Sequence, residues 1–206
     1  LLAAPPPVSA FQRVWQGFMV ARIAIALFLL AMLGGMMALG ITPLEVWQLG
    51  LCVVYLGAVV SVRLLTRPSP RGRSFDAQWV STIGVDLITF STLHFLQSAG
   101  LSYSPLFALP VLTASVLGST ALALGTAAGV ALLLLADAWL QGLLALDHTS
   151  RLAQAGLAGG GYLLIAFLAN QLAVRLEREE QAARRSLSAA RTQALVNELV
   201  IDSLNE

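Results

Sequence analysis

Two carboxylates stand where carboxylates are costly: Asp86 near the middle of one apolar run and Asp137 within another. An acidic side chain at the centre of a membrane helix costs about 2.5–3.5 kcal/mol on insertion scales, so it must face a bundle interior, be paired, or be protonated. Two uses are open to each residue. One is a sensing or ion-conducting group inside the membrane; the other is a structural hydrogen bond to another helix or to Arg22, a cation within the first apolar run. His94 lies about two helical turns beyond Asp86. It could relay protons to Asp86 or simply be solvated at the membrane surface. Arg22, Asp86, His94 and Asp137 are thus the candidate sensing residues. Asn170 and Gln171, near the end of the last apolar run, carry amides that can bond across helices or reach headgroups.

Other chemistry is missing. The sequence has no His-Glu-x-x-His zinc pattern, no Gly-x-x-x-x-Gly-Lys-Ser/Thr phosphate loop and no Gly-x-Ser-x-Gly nucleophile elbow. No catalytic residue, metal ligand or cofactor-binding residue is assigned. Cys52 is the single cysteine, lies in an apolar run and reads as a small core residue.

The surroundings of these residues are those of a membrane protein. Of 206 residues, 57% are hydrophobic and 11% charged, against about 25% charged in soluble domains. A span needs about 20 apolar residues to cross roughly 30 Å of hydrocarbon. Six segments meet or approach that requirement: about Phe18 to Leu39, Val46 to Leu65, Trp79 to Leu96, Tyr103 to a turn at Gly118-Ser119, onward to Leu146, and Leu152 to Val174. Tyr103 to Leu146 is one apolar stretch about twice as long as the bilayer is thick, so it must fold back once. The fourth span carries Pro105 and Pro110 near its beginning. The fold class is therefore all-α, a polytopic bundle of six transmembrane helices. Arg13 and Arg22 before an apolar run also resemble a signal peptide, but the run is long and others of its kind follow, which favours an uncleaved first span.

Arginine placement gives an orientation. Arg13, Arg22, Arg63, Arg67, Arg71, Arg73 and the series from Arg175 to Arg191 fall on one side of a six-span chain, and Arg151 alone on the other. That asymmetry places both termini and the loop between the second and third spans in the cytoplasm. Trp15 and Trp79 then mark the inner boundary, and Trp47 and Tyr103 the outer one. The arginines are explained by topology and anionic headgroups, so no nucleic acid is implied. Gly125-x-x-x-Gly129 and Gly156-x-x-x-Gly160 have the spacing of close helix approach, expected within the bundle.

After Val174 the chain becomes polar without a helix breaker: no Pro or Gly occurs between Gly161 and Glu206. One helix should leave the membrane and continue. Glu180 and Arg184 stand at i, i+4, and a light heptad phase passes through Ala183, Leu187, Ala190, Ala194, Asn197, Ile201 and Leu204. Such a helix is marginal alone and more secure paired with a second copy; the alternative is a solvated, fraying tail. The organisation reads as a cytoplasmic tail at 1–17, a six-span domain at 18–174 and a cytoplasmic signalling helix at 175–206. Asn170, Gln171, Arg175, Leu187 and Ile201 are the candidate transmission residues.

Several stretches are similar to a known family. Phe11-Gln12-Arg13-Val14-Trp15 with Ala21-Arg22-Ile23-Ala24-Ile25-Ala26-Leu27 resembles the start of the sensor region of PilS-family histidine kinases, which control type IV pilus genes. Tyr103-Ser104-Pro105-Leu106-Phe107-Ala108-Leu109-Pro110 resembles the family's fourth span, Ala136-Asp137-Ala138-Trp139 its fifth, and Ala169-Asn170-Gln171-Leu172-Ala173-Val174-Arg175 its exit helix. Val196 to Asn205 looks like the lead-in to its PAS domain. The resemblance implies a homodimeric inner-membrane sensor that responds to pilin in the bilayer and acts on a response regulator through a kinase core using ATP and Mg. That core is not in this chain, which should be inactive as a kinase alone; His94 and His148 are not the phosphoacceptor. The competing reading is a small ion or solute transporter using Asp86 and Asp137.

Overall fold

The structure, a computed structural model, describes residues 10–40, 46–65, 77–96, 102–142 and 148–204. They form six α-helices and, among the described residues, no strand: α1 Ala10–Ala38, α2 Val46–Leu65, α3 Ala77–Phe95, α4 Ala108–Leu117, α5 Thr120–Gly142 and α6 His148–Leu204, with a 3-10 turn at Ser104–Phe107 leading into α4. The loops that should hold Arg67, Arg71 and Arg73, and the side chain of Trp79, lie outside the described residues.

Local chemistry explains where the helices stop. Gly40 adopts φ 63° and donates its N–H to the Met37 carbonyl at 3.2 Å, an αL cap open to glycine at little cost. Gly118 ends α4 in extended backbone, where a Cβ would lie 2.5 Å from the Ala114 oxygen. Ser119 then caps α5, its Oγ accepting the Leu122 N–H at 3.2 Å. The fold-back at Gly118-Ser119 is thus where the sequence placed it.

Successive helices reverse direction. At one end, Trp15 and Met19 of α1 pack with Leu117 of α4, beside Val62 of α2 and Leu122 of α5. At the other, the Gln48 side chain of α2 reaches the Leu96 carbonyl after α3, and the Tyr162 hydroxyl of α6 donates to the Ser104 carbonyl at 2.6 Å. We call these the tail end, where α6 runs out of the bundle, and the loop end. One core cluster joins them, through Leu33, Tyr55, Phe90, Phe107, Val111, Val130 and Ala166.

The six helices are not equivalent. Four runs, in α1, α2, α5 and α6, are long and apolar enough to cross a membrane. α3 is the polar one, turning Thr82, Asp86, Thr89 and His94 inward. α4 with its 3-10 turn covers only Ser104–Leu117, about 23 Å of rise against roughly 30 Å of hydrocarbon. It is shorter than the full span expected. Its all-round apolar sequence reflects burial in protein, with Leu109, Pro110, Val111, Thr113, Ala114, Ser115 and Leu117 all enclosed. Pro105 and Pro110 are tolerated because each sits in the first turn of its helical segment, where no intrahelical N–H bond is due.

Other expectations change at the level of faces. Trp15 and Tyr103 turn into the core instead of facing the membrane boundary. The expected Gly-x-x-x-Gly packing is not found: a Cβ on Gly125, Gly129, Gly156 or Gly160 would meet nothing within 4 Å. Gly159 makes the close approach, since a Cβ there would lie 2.8 Å from the Cβ of Ala131 on α5. The reason is rotational. The buried stripe of α6 runs through Gly159, Tyr162, Ala166 and Asn170, and Gly156 and Gly160 fall off it.

Candidate functional site

Arg22, Asp86 and Tyr55 form a sealed knot of α1, α3 and α2. Arg22 donates to Asp86 Oδ1 from Nε at 3.1 Å and from Nη2 at 2.5 Å. Nη2 also donates to the Thr82 carbonyl at 2.8 Å, and the Tyr55 hydroxyl donates to the same Oδ1 at 2.9 Å. Both charged side chains have no exposed surface. Asp86 Oδ2 is buried with no hydrogen-bond partner among the described residues. The helices position this knot because Arg22 and Asp86 are mid-helix residues on the same inward faces as the core, one and two turns before Ala26 and Leu29 on α1 and Phe90 and Leu93 on α3. In such a medium the charges hold each other in place, and neither is disposed to carry an ion.

The second constellation lies at the loop end. His94 Nε2 is 3.1 Å from Asp137 Oδ2. Gln141, one turn along α5, donates Nε2 to both oxygens of Asp137 at 2.9 and 2.8 Å, and its Oε1 accepts from Arg151 Nη1 at 2.6 Å. A polar chain therefore runs His94, Asp137, Gln141, Arg151 from α3 through α5 to α6. The His94 ring packs edge-on to Phe95 and Phe107. This histidine is buried, neither solvated nor paired with Asp86, so the relay considered from sequence has no direct contact in the structure.

A third set pins α6. Asn170 is buried, donating Nδ2 to the Ser115 carbonyl of α4 at 3.0 Å and accepting from Thr120 of α5 at 2.8 Å. Its neighbour Gln171 faces away, exposed. Arg175 is exposed and pairs with Glu179 at 3.2 Å. Leu187 is exposed on the single chain. Ile201 belongs to α6, but its side chain, like that of Arg184, lies outside the described residues.

Sequence reasoning named Arg22, Asp86, His94, Asp137 and Asn170 and missed Tyr55, Gln141 and the role of Arg151. One signal was available for the second constellation. His94 is 94 − 77 = 17 residues beyond the start of α3 and Asp137 is 137 − 120 = 17 beyond the start of α5. Both helices start at the tail end, so the two residues had to share a depth. No group of three or more potential metal ligands occurs among the described residues.

The sequence model of the PilS-like transmembrane domain matches residues 8–183. The chain belongs to the PilS-like transmembrane domain family. The match spans all six helices, ending within the polar part of α6. No curated protein and no solved structure matches the chain. The PilS-like domain is a membrane protein on both counts, its apolar helices and its family.

Proposed function

We propose that this PilS-like domain is the sensor and signal-transmission module of a two-component sensor histidine kinase in a bacterial inner membrane. It reads a signal within the bilayer and passes it along α6 to a PAS and kinase core. The observation that carries the reading is α6 itself: one helix of 57 residues without interruption. Its first part is fixed to α4 and α5 by Gly159, Tyr162 and Asn170, and its last part is a polar helix. Any change in how the bundle seats that first part must appear in the position of the last.

The knot and the chain divide the labour. Arg22, Asp86 and Tyr55 tie α1, α2 and α3 together; α4, α5 and α6 pack on one another, and α3 packs against both sets. α3 meets α5 through His94 and Asp137, so a ligand that shifts α3 acts on the α5–α6 pair. The ligand we favour is a pilin helix packing against the exposed apolar faces. The cytoplasm lies at the tail end, on the arginine asymmetry. A second copy pairs along the phase of Leu187 and Ile201, and the response regulator is reached only through the kinase core. The occupied partners of both aspartates weigh against ion conduction.

The test joins the chain after Leu204 to a heterologous kinase core and measures phosphorylation in membranes with and without co-expressed pilin. A pilin-dependent change that disappears when glycines are inserted after Arg178 supports transmission through α6. Absence of any change, with the fusion inserted and its core active, defeats pilin sensing. An ion- and solute-flux assay in vesicles comparing the unaltered chain with Asp86→Asn and Asp137→Asn then decides for or against transport.

A further inference from the structure

α6 separates its charges as it leaves the bundle. Back from Arg178, the residues Arg175, Gln171, Phe167, Leu164 and Gly160 follow at steps of three or four, which places all six on one face. That face is turned away from the bundle: Leu164 and Phe167 are 65% and 48% exposed, Gln171, Arg175 and Arg178 are exposed, and a Cβ on Gly160 would meet nothing within 4 Å. Glu177 and Glu180 fall elsewhere, about two and three helical turns beyond Asn170 and so in line with the face that seats α6 on α4 and α5. The outward face carries the arginines and the inward one the glutamates.

The outward face has two zones. From Gly160 to Gln171 it rises about 16 Å with apolar residues, close to the roughly 15 Å that one leaflet contributes to the hydrocarbon. From Gln171 to Arg175 it rises about 6 Å more, the depth of a headgroup layer. Helical side chains lean toward the helix N-terminus, so Arg175 and Arg178 both tilt back toward Gln171. Arg175 gives Nε to Glu179 Oε1 at 3.2 Å and keeps its two Nη groups for another acceptor, and Arg178 supplies a second guanidinium. Glu179 offsets one of the two positive charges; the other calls for an anion. A groove of about 550 Å3 runs beside this zone, lined among the described residues by Gln171, Leu172, Val174, Arg175 and Arg178. That volume lies within the roughly 300–1,000 Å3 of small-molecule sites.

An occupant that meets both zones is an apolar chain ending in an anion. Guanidinium forks match phosphate oxygens two at a time, and basic residues just outside a membrane helix attract anionic headgroups. We propose that this face of α6 binds an anionic phospholipid. Gln171, Arg175 and Arg178 hold the phosphate, and one acyl chain lies along Phe167 and Leu164 into the space beside Gly160. A zwitterionic lipid offers the same phosphate but brings an ammonium toward the guanidinium that no glutamate offsets, so net charge decides the preference. The site goes beyond the kinase reading, since it requires only that α6 leave the bilayer between Gln171 and Arg178.

The experiment uses the full chain, delipidated in detergent and titrated with phosphatidylglycerol or phosphatidylcholine of matched acyl chains, with retention read by native mass spectrometry. The unaltered chain should retain phosphatidylglycerol about tenfold better. Arg178→Gln should lower that preference about threefold, and Arg175→Gln combined with Arg178→Gln should abolish it. Arg63→Gln removes the same charge from the exposed tail end of α2 and should leave the preference unchanged within error. Glycerophosphoglycerol, the headgroup without acyl chains, should not displace the lipid at equal concentration. Equal retention of the two lipids by the unaltered chain overturns the proposal and needs no variant. So does a double variant that keeps the preference, a loss from Arg63→Gln as large as that from Arg178→Gln, or displacement by the free headgroup.

Discussion

Arg22–Asp86 and His94–Asp137 are both pairs of a basic side chain with a carboxylate between neighbouring helices, yet their surroundings differ. The first pair has no exposed side-chain surface and is crossed by the Tyr55 hydroxyl; the second retains 6% and 12% exposure and borders a cavity. A sealed pair must match its charges internally, because removing either partner strands the other in a medium that cannot solvate it. A pair at the rim can exchange partners with water or a ligand. The knot is suited to holding three helices, and the rim chain to responding.

That contrast is broken most severely by Asp86→Ala, which leaves the Arg22 guanidinium enclosed and should cost about 3–5 kcal/mol. The double variant Arg22→Met with Asp86→Leu should recover most of this loss. Unfolding in mixed micelles by graded denaturing detergent measures both, and a double variant as unstable as the single one would show that the pair does more than hold helices. Next comes the seating of the α5–α6 unit. Gly159→Ala forces a methyl group against Ala131 and should cost about 1–3 kcal/mol, whereas Gly156→Ala and Gly160→Ala, facing open space, should cost nothing measurable by the same assay. Asn170→Leu removes two interhelical hydrogen bonds, worth about 1–2 kcal/mol at most. A cycle between His94→Leu and Asp137→Asn should give a coupling near 0.6 kcal/mol, roughly the average for interhelical hydrogen bonds in membranes. If that coupling equals the one between Arg22 and Asp86, the distinction between sealed and rim pairs fails. Arg175→Gln, at an exposed pair, should leave stability unchanged within error.

Sequence patterns reveal depth better than rotation, and the pattern of hits reflects that. The Gly118-Ser119 turn, the run of α6 past Val174 and the Arg22 partner of Asp86 all follow from position along the chain. Which face a residue presents depends on neighbouring helices, and there the reading was weaker. Gly159 was overlooked beside the motif-like Gly156 and Gly160 because only the packing of α5 selects one register. α4 looked like a full span because burial in protein and burial in lipid demand the same apolar composition. Tyr55 carried no local mark at all: one phenol in an apolar helix gains its meaning from Asp86 on another.

Asn170 divides α6 unequally. From His148 to Asn170 the helix rises about 33 Å and from Asn170 to Leu204 about 51 Å, both hydrogen bonds of the asparagine lying at that division. Should α6 tilt as one piece, Asn170 is its fulcrum. The long arm then moves about one and a half times as far as the short one, and in the opposite direction. A displacement of about 1 Å at the loop end, no more than a helix contact could impose, would swing the far end by about 1.5 Å the other way. The mechanical advantage belongs to the output side, and its sense is inverted.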